Sequence, residues 1–223
     1  GRCFAQVLQA QVLGLGKGLE HRAGQPGMGI SDGLAYAQNV HDRENPGALV
    51  IVLCCRFRIG KQPADIGRIR RQGRRTRRHE GVDLACGEHA GSEALMRRTV
   101  RLAKQHGVRI GAHPGYADRE NMGRVAQQLE DSALRQLILD QVGLLKRICE
   151  EEAAKLVHVK IHGALYNQSA RDPHMAWVIS AAIRDISPDL VVVGLAGSEH
   201  VRAAQELGLR MMEEVFADRR YEA

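Results

Sequence analysis

Several side chains in this sequence stand where chemistry could be done. Cys86, Glu88 and His89 follow an apolar segment ending near Leu84, and His113, Pro114, Gly115, Tyr116 and Asp118 follow Val108–Ala112. His162, Tyr166 and Asn167 follow Leu156–Ile161, Gly197 and Ser198 follow Leu190–Leu195, and Asp218, Arg219 and Arg220 follow Leu209–Phe216. Imidazoles change charge near neutral pH and also ligate divalent ions. His89, His113 and His162 therefore have chemical potential, and their wide spacing neither supports nor excludes a metal site. A single histidine after a strand can also merely cap a loop, and Lys160 can be the buried partner of a carboxylate. Cys86 reads as a small buried residue, since nothing in the sequence lowers its pKa.

The elements that must position these residues alternate. Ser92 caps a helix reaching His106, and Gly107 ends it. Asp131 or Ser132 opens a long helix to about Ala154, with Leu134, Leu137, Ile138, Val142, Leu145 and Ile148 on one side. Asp172 caps a third helix with Pro173 at its first position, and Ser198 caps a fourth that ends at Leu207. Between them run the short apolar strands Val108–Ala112, Leu156–Ile161, Leu190–Leu195 and Leu209–Phe216. Strands alternating with helices predict an α/β fold with a parallel sheet, doubly wound or barrel. Parallel strands gather their following loops on one face, where α/β proteins build sites. In one strand His158, Lys160 and His162 alternate with Val157, Val159 and Ile161. Period two puts the polar three on one side, as a barrel lumen leading to a site requires. His106, His174 and His200 are expected on helix surfaces, and Trp177 in the core.

Of the 223 residues 44% are apolar, which supports a sizeable core and excludes disorder throughout. The longest apolar run, Ala48–Cys55, falls far short of the roughly 20 residues of a membrane helix. With no secretory signal at the start, a cytoplasmic protein without membrane attachment is expected. Five irregularly spaced cysteines suggest neither a disulfide framework nor a zinc pair.

Charge divides the chain in two. Residues 1–81 carry 14 Lys and Arg against 6 Asp and Glu, and residues 82–223 carry 18 against 20. The first part shows little periodicity beyond a strand at Leu49–Leu53, and Lys17 lacks the Gly-Lys-Ser/Thr ending of a phosphate loop. The run from Arg68 to Arg78 could neutralise phosphates but lacks aromatic partners for base stacking. It reads as a solvated basic segment, not a nucleic-acid site. Its Arg, Gly and Ala content also matches GC-rich DNA translated out of frame. Residues 1–81 are thus expected to be an atypical basic segment, disordered or out of frame.

The loop clusters carry a family resemblance. Ala85-Cys86-Gly87-Glu88-His89-Ala90-Gly91 resembles the Ala-Cys-Gly-Phe-His-Ala-Gly motif of the LamB/YcsF family, described as the A subunit of bacterial ATP-dependent 5-oxoprolinase. Ile110-Gly111-Ala112-His113-Pro114-Gly115-Tyr116 is similar to its second motif, and His158-Val159-Lys160-Ile161-His162-Gly163-Ala164-Leu165-Tyr166-Asn167 to its third. Gly194-Leu195-Ala196-Gly197-Ser198 and the segment from Glu214 to Tyr221 resemble the fourth and fifth. The resemblance covers about residues 82–223.

It implies a β/α barrel-like fold of the glycoside hydrolase/deacetylase type. It implies cleavage of the 5-oxoproline lactam to L-glutamate, coupled to ATP hydrolysis, with partner subunits B and C. ATP would be a co-substrate with magnesium; a metal held in the barrel stays undetermined. On that reading His113 and His162 are candidate general acid/base groups, and Lys160, Arg219 and Arg220 candidate anion binders. His89 and Asp83 would orient substrate or water. Tyr116, Tyr166, Asn167 and Asp218 would contact substrate.

The sequence also departs from the family pattern. No Asp-Leu-Asn-Cys-Asp type first strand occurs in residues 1–81. The family has Asn at Asp83, Phe at Glu88, Asp at Ser92, Phe at Met122, Arg at Val125 and Pro at Ile161, and it continues past Ala223. The expectation is a barrel domain over 82–223, incomplete at both ends. A metal-dependent deacetylase-type amide hydrolase using His89, His113 and His162, and an inactive fragment of the family, are the alternatives.

Overall fold

A computed structural model of the protein describes residues 35–41, 49–57 and 79–216. The basic run Arg68–Arg78 and the candidates Asp218, Arg219 and Arg220 lie outside the described residues.

Seven strands form one sheet in chain order. They are β1 (Ala35–His41), β2 (Leu49–Phe57), β3 (His79–Ala85), β4 (Arg109–His113), β5 (Leu156–Lys160), β6 (Val191–Leu195) and β7 (Arg210–Glu214). β1 pairs antiparallel with β2, and β2 antiparallel with β3. From β3 to β7 every pairing is parallel. Each parallel strand lies beside its predecessor, so the chain steps across the sheet in one direction. That is the order of a β/α barrel; a doubly wound sheet reverses part-way. Among the described residues the sheet is open. β2 contains the expected strand at Leu49–Leu53. β1 is not signalled by the sequence, since Gln38 and Asn39 interrupt any apolar pattern.

Among the described residues, three of the five helices open on a side-chain cap. In α1 (Glu93–Gln105) the Ser92 side chain accepts from the Leu95 N–H. The α2 helix (Asp131–Glu151) buries Leu134, Ile138, Gln141, Val142, Leu145 and Ile148. A short helix, α3 (Gly163–Ser169), occupies what the sequence suggests is loop. In α4 (Pro173–Ile186) the Asp172 carboxylate accepts from the His174 N–H at 2.9 Å and the Met175 N–H at 3.0 Å. The Ser198 hydroxyl caps α5 (Glu199–Glu206). A cap of this kind is worth about 1 kcal/mol. Asp172→Ala therefore lowers the melting temperature by about 2–4 °C, which calorimetry would detect.

Two expectations are corrected. His106 and His174 are exposed, but His200 is 3% exposed and donates through Nδ1 to Ser169 Oγ at 3.1 Å. It packs with Val201, Ala203 and Ala204 on the buried side of α5. Trp177 is 44% exposed. At 100° per residue it lies across the helix from Met175, Ala176, Ile179 and Ile183, which form the buried stripe. Among the described residues no helix is long and apolar enough to cross a membrane.

Candidate active site

At the centre of the sheet, Asp83 on β3, Gly111 on β4 and His158 on β5 stand side by side in register. The two outer residues are two strands apart, about 10 Å at normal strand spacing. They meet because the middle position has no side chain. The His158 imidazole crosses Gly111 and donates from Nε2 to Asp83 Oδ1 at 2.5 Å. A Cβ on Gly111 would lie 2.0 Å from that Nε2. Both partners are buried. Burial pushes the Asp83 carboxyl up. The charge and hydrogen bond of His158, with His113 and Lys160 behind, outweigh burial and hold it below its ordinary value.

At or just past the ends of β3, β4 and β5, three imidazoles converge. His89 stacks on His162 with centroids 4.1 Å apart and planes 9° from parallel. His113 meets His162 edge-on, at 4.7 Å and 65°. His113 Nδ1 contacts the Lys160 carbonyl at 2.7 Å, its Nε2 contacts His162 Nδ1 at 2.9 Å, and His162 Nε2 contacts the Met122 carbonyl at 2.9 Å. Each contact needs one proton, and two neutral imidazoles supply two. The neutral couple is thus one proton short of full hydrogen bonding. Burial opposes the third proton, pushing His113 down to about 3 and His162 below its ordinary value. Burial likewise pushes His89 down to about 2. Both His89 ring nitrogens are buried without a hydrogen-bond partner.

The loop 113–124 closes over this cluster. The Pro114 carbonyl accepts from the His162 N–H at 2.8 Å, and the Gly123 carbonyl from the Ala164 N–H at 3.0 Å. A Cβ on Gly163 would lie 2.4 Å from the Gly123 oxygen, so only glycine fits there. Met122, at φ 55°, holds a left-handed conformation that non-glycine residues rarely adopt. That turn aims its carbonyl at His162.

A second cluster centres on a carboxylate. Glu214 of β7 accepts from Lys160 Nζ at 2.7 Å on one oxygen and from the Tyr166 hydroxyl at 2.9 Å on the other. Lys160 is 3% exposed, and its Nζ lies 5.5 Å from the Phe216 ring centroid. The carbonyl of Lys160 holds His113, so this one residue joins the two clusters.

The structure thus brings together His89, His113, His162, Lys160, Tyr166 and Asp83. Tyr116 is fully buried, its hydroxyl donating 2.7 Å to Gln168 Oε1. Asn167 is exposed. The Cys86 thiol donates to the Leu84 carbonyl, and burial pushes it up to about 12, which suits a packed residue. The three histidines do not fit a metal site. Two rings are stacked, so their in-plane lone pairs do not converge, and the nitrogens of His113 and His162 face backbone carbonyls and each other. Among the described residues no group of three or more His, Cys, Asp or Glu could hold an ion.

A sequence model of the LamB/YcsF family matches residues 80–223. The chain belongs to the LamB/YcsF family. The LamB/YcsF match includes β3 from Glu80 onward, β4 to β7, and every residue of both clusters. The chain is 51% identical over 142 residues to a protein from Erwinia tasmaniensis named as the A subunit of 5-oxoprolinase, covering 64% of this chain and 58% of that protein. It is 48% identical over 142 residues to one of the same name from Geobacillus kaustophilus, covering 64% and 56%. Among solved structures it resembles a lactam utilization protein from Thermus thermophilus. That match has a TM-score of 0.60 at 40% identity and covers 62% of this chain and 56% of the other. The chain thus spans under three-fifths of the length of the curated relatives it matches.

Three contributors to this LamB/YcsF site escape the sequence reading. His158 reads as one of three alternating polar residues, with no sign of its partner. Glu214 stands inside the fifth motif, among more conspicuous charges. The Met122 carbonyl has no signal, because it belongs to the backbone.

Proposed function

We propose that residues 82–223 carry the catalytic part of a 5-oxoprolinase A subunit. It would open the lactam of 5-oxoproline to L-glutamate, with ATP as co-substrate with magnesium and with B and C subunits as partners in the cytoplasm. The carrying observation is that the family match contains the whole imidazole cluster together with Lys160, Tyr166 and Glu214.

A five-membered lactam is a stable amide, and water attacks its carbonyl slowly. Transfer of the γ-phosphoryl group to the lactam oxygen releases ADP and makes the carbon electrophilic. Water then adds, losing a proton to a base, and the C–N bond breaks as the ring nitrogen gains a proton. A second water hydrolyses the resulting acyl phosphate to L-glutamate and phosphate. The His113–His162 couple suits the proton steps, because an added proton completes its chain of hydrogen bonds. His89 has ring nitrogens to spare for substrate or water. Lys160 and Tyr166 point donors at Glu214 and could redirect them to charge developing on oxygen. Asp83 keeps a fixed negative charge behind His113 and Lys160.

The test is 5-oxoproline-dependent ADP release by the chain mixed with B and C subunits from a complete system. Release is expected, and His113→Ala should lower it by about 10²–10⁴-fold. No release, while a complete A subunit works in the same mixture, would remove the proposal for this chain.

A further inference from the structure

One buried polar group belongs to none of these clusters. Gln141 sits in the middle of the buried side of α2, between Ile138 and Leu145, and is 2% exposed. Helix positions of that kind normally hold leucine or isoleucine, and an unpaired amide there would be costly. Gln141 is paired through both ends. Its Nε2 donates to the Gly115 carbonyl at 2.7 Å, and its Oε1 accepts from the Gly115 N–H at 3.1 Å. The side-chain amide thus grips Gly115 as a neighbouring strand would.

That residue is tightly set against the imidazoles. A Cβ on Gly115 would lie 3.1 Å from His89 Nδ1 and 3.2 Å from His162 Cβ. Its neighbour Pro114 takes the His162 N–H, and His113 is two residues away. The loop therefore hangs from α2 by two hydrogen bonds at this point of close approach.

We infer that Gln141 is a positioning residue: through Gly115 it sets the spacing of His113, His162 and His89. The activity part of this inference rests on the function proposed above; the geometric part does not. Only a group with one donor and one acceptor side by side can hold the backbone of Gly115 in this way. A neutral carboxylic acid has that pattern, and a carboxylate has lost the donor.

Two variants test it. Gln141→Leu keeps the volume and suits the apolar stripe, so it folds, but it releases Gly115. The side-chain nitrogen resonances of His113 and His162, assigned with His113→Gln and His162→Gln, should shift in the isolated chain. With B and C subunits, kcat should fall about 10- to 100-fold while KM holds. Gln141→Glu carries a buried carboxyl, whose pKa rises on burial. It should match wild type near pH 7 and lose kcat as pH rises toward 9, where wild type does not. Unchanged imidazole resonances in Gln141→Leu would overturn the inference, as would a Gln141→Glu profile parallel to wild type. If the wild-type mixture releases no ADP, the function proposal fails alone, and the resonances still decide the role of Gln141.

Discussion

Gly111→Ala destabilises the protein by about 3–5 kcal/mol, overpacking of a tight core added to the cost of leaving the buried Asp83 carboxylate without its hydrogen-bond partner. The added methyl occupies the place of the His158 ring, whose nearest atom would be 2.0 Å away. His158 cannot swing aside at little cost, because it is 2% exposed and bonded to Asp83. Expelling it leaves a carboxylate buried without its hydrogen-bond partner. The effect should depend on that histidine. In a His158→Ala background, where the pair is already broken, Gly111→Ala should add under about 1 kcal/mol, a coupling that a double-mutant cycle reads directly. Equal costs in both backgrounds, measured by urea unfolding, would mean that the backbone at Gly111 matters and the pair does not.

Acid unfolds the protein near pH 5. Burial holds His89 at about 2, His113 at about 3 and His200 at about 4. In the unfolded chain a histidine titrates near 6.5. Between these values the unfolded state binds protons that the folded state refuses, so stability rises with pH across that window. It is fully present above about 6.5 and drains away below it. Each of the three histidines then withdraws about 2 kcal/mol between pH 7 and pH 5, at 1.36 kcal/mol per pH unit. Their sum rivals the 5–15 kcal/mol that folded domains possess. Asp83 acts in the same direction but later: its folded value lies below the ordinary one, so its contribution is lost only under about pH 4. Unfolding free energy measured at intervals from pH 7 to pH 5 should fall by about 4 kcal/mol per unit in the lower part of that range. His200→Gln should reduce the slope by about one proton. A flat profile would mean that these histidines are solvated in the folded protein.

The sequence shows the order of parallel strands and their helices because local signals repeat from unit to unit. Caps at Ser92, Asp172 and Ser198 are side-chain to backbone bonds within four residues, which a linear reading captures. The alternation of His158, Lys160 and His162 also marks β5 as the strand that feeds both clusters. The pairings are what it lacks. Asp83 and His158 are 75 residues apart, and Lys160 and Glu214 are 54 apart. Only the register of the sheet brings them together. The misplacement of His200 and Trp177 has a related cause. On an amphipathic helix a single large or polar residue is sorted by angle, and residue type alone points the wrong way in both cases. His200 hides its ring against Ser169, whereas Trp177 faces out.

A common thread links the contacts in this site. His113 is held by the carbonyl of residue 160, His162 by the carbonyl of residue 122, Tyr116 by the carbonyl of residue 127, and Gln141 by the backbone of residue 115. Main-chain atoms are the same whatever side chain they carry. Position 127 can therefore drift during evolution without disturbing Tyr116, provided the loop keeps its path, whereas position 122 is confined to residues that tolerate its left-handed turn. The glycines at 111, 115 and 163 have no such freedom, because their missing side chains are the path. A lineage-wide comparison should find the site's history written in its invariant glycines more than in the residues whose carbonyls do the holding.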